Sequence, residues 1–283
     1  MATILDGKSL SIKIKSEISE ITAKNEACGF RRPCLAVVLA GDDPASQIYV
    51  KNKIKSCAET GITSKQFVFS ADTTESELLE LISTLNNDSE VDGILVQSPL
   101  PKHINEQKIT ESISVSKDVD AFHPENVGKI MLGLDGFAPC TPSGIIRLLD
   151  EYNIEIAGKH CVVIGRSNIV GKPMALLLLQ RNGTVTICHS KTKNLSDYTK
   201  TADILVVAVG KAGIVNGDMI KEGAVIVDVG MNRIDKKLFG DVDFESCAAK
   251  ASFITPVPGG VGPMTIAMLL KNTTYSYKKT LGI

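Results

Sequence analysis

Apolar positions in the first half of the chain fall into short runs separated by stretches with helical spacing. Residues 34–40 form an unbroken apolar run, the pattern of a strand covered on both faces. Residues 46–61 then read as a helix ending at a glycine, 65–69 as a second strand, and 75–86 as a helix that turns Leu78, Leu79, Leu81 and Ile82 inward. Residues 91–97 give a third strand, which Ser98-Pro99-Leu100-Pro101 stops. This alternation predicts parallel strands joined by crossover helices, with ligand chemistry gathered where the strands end.

From about Gly144 the pattern restarts with a helix at 144–152 and strands at 161–164, 184–188, 204–209 and 224–229. A repeat of about 20 residues between strands is the doubly wound dinucleotide-binding arrangement. Residues 264–272 are apolar enough to form a last helix, expected to pack back on the first domain. The expected fold is therefore α/β, with an N-terminal α/β catalytic domain, 1–139, completed by a C-terminal helix at 264–283. A C-terminal doubly wound Rossmann-type NADP-binding domain, 140–263, follows, with a cleft between the two.

Composition narrows the function classes. With 283 residues, 43% of them hydrophobic, the chain is long enough for two cores, which excludes disordered and fibrous readings. Its 31 basic and 32 acidic residues nearly balance and form no basic track, so nucleic acid is not an expected partner. The first residues lack the basic and apolar segments of a secretory signal, and no apolar run approaches a membrane span. A cytoplasmic protein with no membrane contact is expected. The seven cysteines include no C-x-x-C pair and no nearby histidine at metal-ligand spacing, so reduced thiols and no metal are expected.

Candidate chemistry starts at Gly165, which ends a buried strand just before a helix, where backbone N–H groups can meet a pyrophosphate. The motif is irregular: Ser167 stands where a glycine is usual, and Gly171 comes one position late. At the end of the next strand, where an acid would select NAD, the chain has His189-Ser190-Lys191. With Arg166 these residues offer donors to a 2′-phosphate, which favours NADP; an exposed arginine beside a polar loop is the plainer alternative.

In the first half, Tyr49 and Lys53 stand four residues apart in a helical stretch and so share a face. Such a pair is as readily a solvated surface. Gln97, ending a strand at the expected ligand edge, and Asp120, in a loop, shift the balance towards a site.

Seven segments carry a resemblance across nearly the whole chain: Tyr49-Val50-Lys51-Asn52-Lys53, Val96-Gln97-Ser98-Pro99-Leu100-Pro101, Lys117-Asp118-Val119-Asp120, Pro139-Cys140-Thr141-Pro142, Gly165-Arg166-Ser167, Cys188-His189-Ser190, and residues 256–265. In this order they resemble the bifunctional methylenetetrahydrofolate dehydrogenase/methenyltetrahydrofolate cyclohydrolase family. Ser98, where the family commonly has leucine, and Ala121, where it commonly has glycine, depart from the pattern. Ser98 is expected to loosen a pocket wall and Ala121 to restrict its loop.

The resemblance implies NADP-dependent oxidation of 5,10-methylenetetrahydrofolate and hydrolysis of the methenyl product to 10-formyltetrahydrofolate, by a homodimer acting on tetrahydrofolate one-carbon derivatives. It implies that Lys53 is the acid/base group of the hydrolysis, that Gln97 holds that lysine, that Asp120 accepts two hydrogen bonds from the pterin, and that Tyr49 stacks on the folate. It further implies folate contacts at Gly260, Val261 and Pro263, with Met231 lying along the cofactor; a hinge and a core methionine are the plainer alternatives there. Two competing readings are a dehydrogenase of another small substrate and a non-catalytic NADP-binding sensor.

Overall fold

The computed structural model describes residues 1–235 and 237–283. In chain order the elements are β1 (Thr3–Ile4), α1 (Gly7–Ala27), β2 (Cys34–Ala40), α2 (Pro44–Glu59), β3 (Thr63–Phe69), α3 (Glu75–Asn87), β4 (Gly93–Gln97), α4 (Glu106–Ser112), α5 (Pro124–Leu132), α6 (Cys140–Glu151), β5 (His160–Ile164), α7 (Gly171–Gln180), β6 (Thr184–Cys188), α8 (Leu195–Thr199), β7 (Ile204–Val207), β8 (Val225–Asp228), β9 (Asn232–Ile234), β10 (Lys237–Phe239), α9 (Phe244–Ala248), β11 (Phe253–Ile254) and α10 (Val261–Leu281). Two compact units result. One, here the small-sheet unit, comprises Ile12–Lys129, Asp135–Phe137 and Ile266–Ile283; the large-sheet unit comprises Met1–Ser11, Ile130–Leu134 and Ala138–Thr265.

The small-sheet unit is built on three parallel strands in the order β3-β2-β4. Every residue of β2 is buried, which accounts for its unbroken apolar run, whereas β3 at the edge is only half covered. Crossover helix α2 starts on Pro44 at a position that needs no N–H, and the Asp43 carboxylate accepts from Ser46 N at 2.7 Å. A reciprocal capping box between Thr74 and Glu77 starts α3, whose Leu78, Ile82 and Leu85 are buried against the sheet.

Within the same unit α10 is fastened by side chains at helical spacing. Asn272 Nδ2 donates to Val119 O at 2.8 Å, Ser276 Oγ to Ser116 O at 2.7 Å, and Tyr277 OH to Arg31 O at 2.8 Å. The helix, Val261–Leu281, closely matches the expected 264–283, and those polar residues pin its second half beyond the apolar run at 264–272.

The large-sheet unit carries six parallel strands in the order β1-β11-β8-β7-β5-β6. The chain leaves β5 for β6 on one side and then crosses back to β7 on the other, so the strand order reverses at the carboxyl end of β5. That reversal is where open α/β sheets bind ligands. Met1–Ser11 belongs to this unit, unlike the division at residue 139 read from the sequence, because β1 pairs in register with β11, Thr3 opposite Phe253.

Helix α1 has no counterpart in the sequence-based reading. Its Ser-Ile-Lys-Ile-Lys stretch alternates like a strand, yet the buried positions Ile14, Ile18 and Thr22 follow a four-residue helical spacing. None of the seven cysteines forms a disulfide, and six are buried. Burial pushes the Cys57 thiol up to about 12 and those of Cys161 and Cys247 to about 11, which leaves them inert. Among the described residues no helix is long and apolar enough to cross a membrane, and no cluster of His, Cys, Asp or Glu is arranged to hold a metal ion.

Candidate active site

In the small-sheet unit the parallel strands deliver Gln97 to the carboxyl end of β4, level with Leu39 in β2. Helix α2 brings Lys53 to the same place, and Lys53 Nζ donates to Gln97 Oε1 at 3.0 Å. Gln97 Nε2 in turn donates to Ser98 O at 2.6 Å, which fixes the amide so that its oxygen faces the lysine. Only 7% of Lys53 is exposed, so this ammonium has little bulk water to compensate for burial and depends on its acceptor. Tyr49, one turn earlier on α2, is half-buried, and burial raises its phenol above the ordinary value.

Asp120 is half-buried in the loop between α4 and α5. Its neighbour Asp118 is buried and shapes that loop by accepting from Phe122 N at 3.3 Å, His123 N at 2.8 Å and Asn126 Nδ2 at 2.9 Å. Burial raises the Asp118 carboxyl despite these donors. Ala121 follows with φ of 62°, and it is fully buried. A left-handed conformation at a non-glycine residue costs roughly 1–2 kcal/mol. The shape of the loop therefore asks for glycine at this position, and the chain supplies alanine.

In the large-sheet unit Gly165 directly follows β5 with φ of 128°, and a Cβ there would collide with the Ala208 carbonyl oxygen. A Cβ on Gly171 would collide with the Gly165 carbonyl and sit 2.7 Å from Arg166 N. Gly171, although late by the usual spacing, is thus the glycine that lets α7 close on β5. Ser167 Oγ accepts from Val170 N and Gly171 N, both at 3.2 Å, so two of the N–H groups expected to point at a pyrophosphate are capped by the chain itself. Arg166, Ser167 and Ser190 are exposed, as is Met231 after β8. These residues fit a dinucleotide: two glycines clear the turn at the strand reversal, and the end of β6 carries donors and no acid.

The segment 259–263 lies in the same unit. Gly259 has φ of 109°, and a Cβ on Gly260 would meet Pro256 O at 2.6 Å and Thr255 Cβ at 2.8 Å. Val261 is buried at 4% exposure, so its side chain packs in the core, whereas Pro263 is half-buried.

Residues 5–120 match the tetrahydrofolate dehydrogenase/cyclohydrolase catalytic domain, and residues 139–281 match the NAD(P)-binding domain of the same family. The chain belongs to the tetrahydrofolate dehydrogenase/cyclohydrolase family. It is 60% identical to the bifunctional protein FolD of Campylobacter hominis, with 98% of each chain covered. The crystal structure of the bifunctional FolD methylenetetrahydrofolate dehydrogenase/cyclohydrolase of Campylobacter jejuni superposes with a TM-score of 0.97 at 56% identity, covering 99% of each chain. The Trypanosoma brucei dehydrogenase-cyclohydrolase, solved with NADP cofactor and an inhibitor, superposes with a TM-score of 0.96 at 37% identity, covering 100% of this chain and 99% of that one.

Against this dehydrogenase/cyclohydrolase background, the two departures differ in weight. Ser98 is exposed and gives its carbonyl to Gln97, so its side chain is not what the contact uses. Ala121 sits at a strained, buried position. Sequence reasoning missed the roles of Asp118, which holds the loop between α4 and α5, and of Asp228 and Asp241, which hold loops at strand ends. Asp228, between Val227 and Val229, carries the sequence signal of a buried carboxylate without its partners being named, whereas Asp118 follows Lys117 and Asp241 follows Gly240 and neither carries it.

Proposed function

We propose that this chain oxidises 5,10-methylenetetrahydrofolate with NADP and hydrolyses the resulting methenyl compound to 10-formyltetrahydrofolate, with Lys53 as the proton-transfer group of the second step. The observation that carries the reading is the contact between Lys53 Nζ and Gln97 Oε1 in a chain that both domains of the family match. NADP, when bound, accepts the hydride that leaves the methylene carbon. The protein's part in that step is alignment, which calls for binding groups more than for an acid or base.

In this reading Asp120 accepts from the amino and ring N–H groups of the pterin, a planar bidentate match that fixes the ring, and Tyr49 packs on the folate's aromatic portion. Gly260, Val261 and Pro263 offer folate a backbone without bulky projections. Gly165, Arg166, Ser167, Ser190 and Met231 form the nucleotide set, with Arg166 and Ser190 reaching the 2′-phosphate. In the hydrolysis, water adds to the methenyl carbon and gives a proton to Lys53 Nζ, which acts in this step as the uncharged amine. Lys53 then protonates the ring nitrogen as the bond from carbon to that nitrogen opens. The water oxygen becomes the formyl oxygen, and one proton is released to solvent. Gln97 keeps Lys53 on station throughout.

A non-catalytic NADP sensor has no use for a buried lysine held by a strand-end glutamine, and a dehydrogenase of another small substrate does not account for Tyr49, Lys53, Gln97 and Asp120 together. A cytoplasmic homodimer completes the reading; seven cysteines that form no disulfide fit a reducing compartment. The test is to mix purified protein with 5,10-methylenetetrahydrofolate and either NADP or NAD, and to follow formation of reduced nicotinamide. Rapid reduction of NADP with little of NAD is expected; reduction of neither would remove the dehydrogenase assignment.

A further inference from the structure

We propose that Asp241 is a positioning residue for dinucleotide binding: its buried carboxylate, supported by Asp228, folds the turn after β7 and the segment after β8 into the surface that receives NADP. The proposal rests on the dinucleotide reading of the large-sheet unit given above.

Asp241 is fully buried and presents nothing to a ligand itself. Its Oδ2 accepts from Val209 N at 2.7 Å and Gly210 N at 2.9 Å, and its Oδ1 accepts from Lys211 N at 2.8 Å. Three consecutive backbone N–H groups converging on one anion form a nest, the device that many proteins offer to phosphate; here a carboxylate of the same chain fills it and sets the turn. The same Oδ1 accepts from Asn232 Nδ2 at 2.9 Å, so one side chain ties the turn after β7 to the start of β9.

Asp228 repeats the arrangement one layer deeper. Placed at the end of β8, its Oδ1 accepts from Gly230 N and Asp241 N, both at 2.9 Å, and its Oδ2 accepts from Val242 N at 2.9 Å. Its own N–H donates to Thr255 Oγ1 at 2.7 Å. The two carboxylates thus sit in series, with Asp228 holding the backbone that carries Asp241 and Asp241 holding the exposed turn.

Position gives this network its function. Strands β5, β7 and β8 are parallel neighbours, so Gly165, Ala208 and Val229 leave the sheet side by side at its carboxyl edge. The contacts along that edge are continuous: a Cβ on Gly165 would strike Ala208, a Cβ on Gly230 would strike the Asp241 carboxylate, and the Met231 Cε lies 3.4 Å from where a Cβ on Gly262 would stand. A shift of 209–211 is therefore felt at the turn after β5 and at Met231, both in the proposed nucleotide set. Buried acids held by amide donors at such a site are costly to keep, and a purely apolar core would serve stability as well.

Asp241→Asn in the full-length protein replaces one acceptor oxygen by a donor NH2 among four N–H groups. Three readouts apply: NADP affinity by calorimetric titration, methenyl hydrolysis without nucleotide, and hydrogen exchange at 209–211. The expected result is a tenfold or greater rise in the NADP dissociation constant, faster exchange at 209–211, and hydrolysis within about twofold of wild type. A merely structural role would move hydrolysis and NADP affinity together, and that outcome overturns the proposal, as does unchanged NADP affinity. If Asp241→Asn does not fold, Asn232→Ala removes one donor to the same oxygen; NADP affinity weakened about threefold supports the proposal, and unchanged affinity overturns it. Wild-type protein that binds no NADP overturns the dinucleotide reading and the proposal with it, whereas wild type that binds while a folded Asp241→Asn binds equally well overturns the proposal alone.

Discussion

Lys53 and Gln97, 44 residues apart in sequence, are joined by a 3.0 Å hydrogen bond that links crossover helix α2 to the end of β4. Because the Gln97 amide is itself oriented by Ser98 O, removing it deprives a nearly buried ammonium of an oriented acceptor. A hydrogen bond to a charged group contributes about 1.5–3 kcal/mol, so Gln97→Ala is expected to slow methenyl hydrolysis by roughly 10- to 100-fold. Steady-state rates of hydrolysis and of NADP reduction, measured on the same preparation, check this: the hydride step loses less than the hydrolysis. Equal losses in both would mean that Gln97 serves folate binding in general.

Gly171→Ala places a methyl against the Gly165 carbonyl and Arg166 N, backbone atoms that cannot swing aside. Overpacking of this kind costs about 1–3 kcal/mol. The strain falls on the turn proposed for the pyrophosphate. Titration should show NADP affinity reduced by more than tenfold, and thermal unfolding should show a lowered Tm. Unchanged affinity would mean that the turn does not meet the nucleotide.

Arg166→Ala tests cofactor choice. An arginine on a phosphate makes charge-assisted bonds worth about 1.5–3 kcal/mol, so the KM for NADP is expected to rise roughly 10- to 100-fold while that for NAD stays within twofold. If both rise together, Arg166 touches a part common to the two dinucleotides, and the NADP preference lies elsewhere.

Ala121→Gly removes left-handed strain of roughly 1–2 kcal/mol but also a buried methyl worth about 0.8 kcal/mol, and it adds backbone entropy of about 0.5–1 kcal/mol to the unfolded chain. The three nearly cancel. Denaturant unfolding should therefore find Ala121→Gly within about 1 kcal/mol of wild type, whereas Ala121→Val, β-branched at positive φ, should be clearly destabilised. A strongly stabilised Ala121→Gly would mean that the strain is larger than the loop geometry indicates.

Much of the architecture is legible in the sequence, and the exceptions have physical causes. β2, β5 and β7 are found where apolar runs announce them, because parallel strands covered on both faces leave little room for polar residues. Helix α1 was hidden because Ile12 and Lys13 interrupt its buried stripe with an alternating pattern. The β9 and β10 pairing was hidden because each strand is only three residues long and the pair is held to the unit by Asn232 and Asp241 through hydrogen bonds that no periodicity records. The placement of Lys53 on a helix, of Gln97 at a strand end and of Gly165 at the turn before α7 is legible in the sequence from periodicity and strand context. The capping role of Ser167 and the carboxylate network of Asp228 and Asp241 depend on contacts made only after folding.

Burial pushes the Asp228 carboxyl from 3.8 up to about 6, outweighing the amide donors that favour its charge. A raised carboxyl stabilises the fold in its protonated form: the contribution is complete below about pH 4 and is lost as pH rises through about 6. Asp88 and Asp203, held low by Lys65 and Lys221, act in the opposite sense below pH 4. A carboxyl carbon titration by NMR should give Asp228 a midpoint near 6. A midpoint below the ordinary carboxylate value would mean that the amide donors, not burial, decide its charge.

The most direct test of the central claim is the rate of methenyltetrahydrofolate hydrolysis by wild type and by Lys53→Met. The account predicts that wild type hydrolyses the methenyl compound to 10-formyltetrahydrofolate and that Lys53→Met loses that activity by about 100-fold or more, the scale of general acid–base catalysis. A wild-type rate in folded Lys53→Met would contradict the role assigned to this lysine.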